Sequence, residues 1–149
     1  MIKLILNIIF LISLSFCQIQ YEGIPKYFNS RIDNLVSLST EQSSIIDTDF
    51  DPMVFKYGDE YNLDVNILES SSVIFDDQEV TYLLGIQSRG AFGIGINFSQ
   101  FFLSENAKLY IYDFEQTYYI GSFTSLNNKD SEVLSTSIVK SDHVIIELT

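Results

Sequence analysis

The sequence predicts an all-β fold, an antiparallel β-sandwich or jelly roll behind an N-terminal export signal. Three observations predict it. Segments rich in β-formers recur roughly every 10 residues from residue 53 onward, with turn residues between them. Several of these segments alternate with a period of two, which means one covered face and one open face. No stretch after residue 50 carries a helical period over a useful length.

Residues 1–17 stand apart. Lys3 is followed by the almost wholly apolar run from Leu4 to Phe16, and no acidic residue comes before Glu22. A basic start, a short apolar run and a small-residue exit describe a secretory signal peptide. The run is shorter than the about 20 residues a membrane helix needs. Ser15 and Cys17 suit a cut before Gln18. Leu14-Ser15-Phe16-Cys17 also offers a lipoprotein cysteine, with bulky Phe16 where a small residue is usual. A cut after Cys17 leaves a cysteine-free chain of 132 residues, and only Lys3 is lost among its charges, so the net charge becomes −13. The expected location is outside the cell, with no membrane segment once processed.

Residues 18–52 read as an extended leader or arm, punctuated by Gly23, Pro25 and several serines and closed by the acidic turn Asp47 to Pro52. Residues 53–149 read as the sandwich domain. Its strand text begins with Val80 to Ile86. Phe92, Ile94, Ile96 and Phe98 then alternate with Gly93, Gly95, Asn97 and Ser99, and those glycines suggest the close approach of a neighbour. Lys108 to Tyr112 puts Leu109 and Ile111 on one side and two tyrosines on the other. Tyr118 to Phe123, Val133 to Val139 and His143 to Leu148 complete the series.

The whole chain carries 20 acidic against 8 basic residues and a net charge of −12. Phosphate backbones repel such a chain, which excludes a nucleic-acid binder. His143 is the sole histidine, and no Gly-x-Ser-x-Gly accompanies it, so it reads as structural. Asp47, Asp49 and Asp51 open like a calcium loop, but Pro52 stands where an EF-hand needs glycine, which leaves a looser calcium site or a solvated turn. Gly90, Gly93 and Gly95 lie in β-alternating text, where no helix follows to cradle a phosphate. Asp76, Asp77 and Glu79 could supply paired carboxylates or form a plain turn. Tyr110, Tyr112, Tyr118 and Tyr119 could build an aromatic face for a sugar or a protein, or pack across strands. Asn97-Phe98-Ser99 fits a glycosylation sequon. No cofactor and no catalytic residue is expected.

Ordered motifs along residues 22–148 carry a family resemblance. Gly85-Ile86-Gln87-Ser88-Arg89-Gly90-Ala91 resembles an I-x-S-x-G-A segment, and Ile96 to Leu103 a strand with spaced phenylalanines. Ala107 to Asp113 is similar to G-A-x-L-Y-I-Y. Gly121-Ser122-Phe123-Thr124 with Asn127-Asn128 resembles G-x-F-T followed by N-N. Ser135-Thr136, Asp142 and Val144 to Glu147 extend the series. Upstream, Gly23-Ile24-Pro25-Lys26 and Phe55-Lys56-Tyr57-Gly58 resemble two further landmarks. Together these resemble the N-terminal pro-region of secreted bacterial lysyl-endopeptidase-like, trypsin-type serine proteases. The resemblance implies a non-catalytic β-sandwich that precedes a protease domain and has that domain as its partner. None of the family's catalytic motifs occurs in this chain. A free-standing secreted module that binds carbohydrate or protein through the tyrosines is the second expectation.

Overall fold

The computed structural model describes residues 21–42, 44–45, 58–76 and 79–149. The expected export signal with Cys17, the acids Asp47, Asp49 and Asp51, and Asp77 lie outside the described residues. The fold is all-β.

One six-stranded sheet organises the molecule. It comprises β1 (Val36–Ser39), β4 (Ser72–Asp76), β5 (Glu79–Gln87), β7 (Leu109–Asp113), β8 (Tyr119–Phe123) and β10 (His143–Leu148). The order is β1, β5, β10, β7, β8, with β4 also on β5. Two small ladders accompany it: β2 (Ser44–Ile45) with β3 (Tyr61–Asn62), and β6 (Asn97–Phe98) with β9 (Leu134–Ser135). A single helical turn, α1 (Ile67–Ser70), feeds β4, and the Asn66 side chain accepts from the Leu68 N–H at its start.

The sheet is mixed, which corrects the expectation of an antiparallel one. One edge of the nine-residue β5 is shared end to end. β4 lies antiparallel along its first half, Ser72 opposite Leu83. β1 lies parallel along its second half, Val36 opposite Leu84. The leader spans the sheet before β1 begins. Tyr21 exchanges two backbone hydrogen bonds with Ser122 on β8, at the far edge. The connection between the two parallel strands is residues 40–78, long enough for the crossover that parallel pairing requires.

Both faces of the central strands are therefore covered. All of Leu109–Asp113 is buried, as are Val144 to Glu147. Strands buried on both sides read as continuous apolar runs, as Leu83-Leu84-Gly85-Ile86 and Val144-Ile145-Ile146 do. On one face Leu84, Ile111, Val144 and Ile146 meet Phe101, Leu103, Leu134 and Val139 from the β6/β9 layer. Fully burying each such side chain contributes about 1.5–3 kcal/mol. On the other face Leu83, Tyr110, Tyr112 and Ile145 meet Tyr27, Phe28, Ile32 and Leu35 of the leader.

In the outer layer Ile94, Ile96 and Phe98 point to the core as the alternation predicts, whereas Phe92 is fully exposed. A Cβ at Gly93 would sit 2.6 Å from the Ile138 side chain, so Gly93 marks a close neighbour, whereas a Cβ at Gly95 would meet it at an ordinary 3.5 Å. At Gly121 (φ +111°) a Cβ would fall 2.7 Å from the Leu109 carbonyl oxygen. Glycine there permits the irregular register between β7 and β8.

Candidate functional site: the leader-covered sheet face

The leader makes a tight turn at residues 26–29. Pro25 and Tyr27 carbonyls accept from the Phe28 and Ser30 N–H groups. The turn sets Phe28 edge-on against two tyrosine rings, at 5.6 Å from Tyr112 and 5.1 Å from Tyr119. Such aromatic pairs each add about 0.5–1.5 kcal/mol beyond burial.

Beneath this turn lies Glu147, fully buried on β10. Its carboxylate accepts from the backbone N–H of Lys26, the backbone N–H of Tyr27 (3.1 Å) and the Tyr112 hydroxyl (3.0 Å). A carboxylate removed from water needs such donors. Burial nonetheless pushes the Glu147 carboxyl above its ordinary range, against the lowering effect of those three bonds and of the Lys26 charge. Tyr112 is raised by burial first, then by the neighbouring Glu147. The Lys26 ammonium turns outward to Glu79 (2.9 Å) and Asp76 (3.0 Å), which raise its pKa. Two members of the predicted acidic cluster thus hold the leader lysine.

A second polar pair lies further along the same face. The Ser37 hydroxyl and His143 Nε2 are 3.1 Å apart. Gly85 makes room for them, because a Cβ there would sit 2.2 Å from Ser37 Oγ and 2.9 Å from Nε2. The imidazole stacks on Phe114 at 4.3 Å and 12°. Burial lowers the His143 pKa, and the Asp142 charge opposes the shift. The Asp142 carboxylate accepts from the Gly90 N–H (3.3 Å). The pair ties β1 to β10 across β5.

The four tyrosines do not share one open face. Tyr110 and Tyr112 are buried under the leader, and Tyr119 is half-buried against Phe28. Tyr118 alone is exposed. Gly90 turns the chain beside Asp142, and Gly93 and Gly95 lie against Ile138. Asn97 is exposed on β6. Among the described residues no group of three or more His, Cys, Asp or Glu is placed to hold a metal ion. Nor is any described helix long and apolar enough to cross a membrane.

Sequence reasoning missed Ser37, Lys26 and Glu147. For Glu147 a signal existed: it occupies an alternate position with Ile145 inside an apolar strand, and acids are almost never fully buried without partners.

No family model, no curated protein and no solved structure matches this chain.

Proposed function

We propose that this chain is an exported, non-catalytic β-sandwich module, the N-terminal part of a precursor that carries a trypsin-type protease domain. The observation that carries this reading is the engagement of its chemistry-bearing side chains. Glu147 is occupied in holding the leader, and His143 pairs with Ser37 under a stacked phenyl ring. With Glu147 turned to its own architecture, such a module works through its surface. The β6/β9 side supports that role, since Phe92, Phe102 and Ile138 are largely exposed there. Apolar side chains gathered on one layer suit packing against a neighbouring domain. The tyrosine-face alternative loses its support with Tyr110 and Tyr112 buried.

The test uses native secreted material, probed with an antibody to this chain and with a fluorophosphonate that labels active serines. The reading expects a larger precursor carrying both the epitope and, once activated, the label. A native species no larger than this chain, never labelled in any fraction, overturns it.

A further inference from the structure

We infer that Asn97 is the attachment site of an N-linked oligosaccharide, added during export. This rests on the export half of the proposed function and is independent of the protease half. Asn97-Phe98-Ser99 is the one Asn-x-Ser/Thr sequence in a chain with nine asparagines. Elsewhere asparagine serves the backbone. Asn29 and Asn34 take left-handed conformations, at φ 68° and 62°. Asn66 caps α1, and Asn127 Oδ1 accepts from the Thr124 N–H at 2.9 Å. Asparagine is depleted in strands, because its amide competes for backbone hydrogen bonds. Asn97 nevertheless lies in β6, opposite Ser135 of β9.

The alternation of β6 turns this acceptor outward. Ile96 and Phe98 pack into the core, and the Phe98 ring meets Phe101 at 5.8 Å. Residues two apart in extended chain share a side. Gly95, Asn97 and Ser99 therefore face away from the core, and all three are exposed. The amide that accepts the sugar and the hydroxyl that the sequon requires are presented together. Their surroundings are small. Gly95 has no side chain, and the cross-strand neighbour Ser135 is short and exposed. The sugar is transferred to the emerging chain, so the folded protein has only to leave room for it, and this corner does. The donor is an oligosaccharide carried on a lipid pyrophosphate. A bond forms between Asn97 Nδ2 and the anomeric carbon, and the anomeric carbon–oxygen bond to the pyrophosphate breaks. The lipid pyrophosphate leaves with that electron pair, and the amide releases one proton. A domain docked on the β6/β9 layer must then leave Asn97 clear.

The experiment is mass spectrometry of the full chain, secreted by a cell line that glycosylates its exported proteins, and of the native chain. The expected result is a secreted chain heavier by one glycan. Peptide-N-glycosidase should remove that mass and leave aspartate at position 97. Asn97→Gln and Ser99→Ala should each abolish the added mass, and Ser99→Thr should keep it, because threonine supplies the same hydroxyl. A secreted chain, native or expressed, with position 97 unmodified overturns the inference. So does a glycan that survives Asn97→Gln. A chain retained inside the cell counts against export instead. In that case residues 18–149 are secreted behind a signal peptide that the cell line already uses, and an unmodified product overturns the inference there too.

Discussion

Replacing Glu147 by alanine tests whether this carboxylate holds the leader on the sheet. The substitution leaves the Lys26 N–H, the Tyr27 N–H and the Tyr112 hydroxyl facing an apolar gap. Each buried donor without an acceptor costs about 1–3 kcal/mol, which gives roughly 3–9 kcal/mol before anything relaxes. Two effects reduce that figure. The raised Glu147 pKa means that burying its charge is itself unfavourable, and alanine removes that burden. The leader can also lift its two N–H groups to water, at the expense of the Phe28 contacts. A net loss of about 3 kcal/mol is expected. Domains typically have about 5–15 kcal/mol in total, so the loss is large. Glu147→Gln keeps the volume and one acceptor oxygen, and should lose about 1–2 kcal/mol. Urea unfolding at neutral pH measures both values. Amide exchange gives the location: Lys26 and Tyr27 should exchange early in Glu147→Ala, ahead of β7 and β10, because the leader opens before the sheet. Glu147→Ala within about 1 kcal/mol of the parent, with Lys26 and Tyr27 still protected, would refute the reasoning.

Titration should carry opposite signs at the two polar sites. The folded Glu147 carboxyl holds its proton to higher pH than the unfolded one, so its contribution to stability is greatest in acid. That contribution falls as pH rises from the ordinary glutamate value through the raised one, and a Glu147→Gln stability profile should lack this slope. His143 behaves conversely, because its folded pKa lies below 6.5. Its stabilising contribution is present above 6.5 and is lost as pH falls through the window below that value; a proton NMR titration should place its midpoint under 6.5. Gly121→Ala forces a Cβ to within 2.7 Å of a backbone carbonyl at φ +111°, and should cost about 2 kcal/mol or more in chemical unfolding. Ile111→Ala empties a fully buried site between the sheet and the β6/β9 layer, for a loss of about 2–5 kcal/mol in the same assay.

The strand text of β5, β7 and β10 is local information. Alternation separated Leu109 and Ile111 from Tyr110 and Tyr112, and the structure places them on opposite faces as read. Glycine in an alternating run announced the close contact that Ile138 makes at Gly93. What alternation leaves open is whether a tyrosine-bearing face is wet or covered. A phenol suits either, provided its hydroxyl finds an acceptor, and the acceptor for Tyr112 lies on another strand, 35 residues away. The leader likewise shows no period that reveals a partner. Its place depends on donors at Lys26 and Tyr27 meeting a carboxylate some 120 residues downstream. The acidic charge and the β-strand text thus belong to the sequence by itself, because they depend on composition and on neighbours in the chain. The parallel pairing of β1, the burial of the tyrosines and the capture of the leader by Glu147 belong to the tertiary structure. They come from hydrogen bonds and packing between segments that only folding brings together.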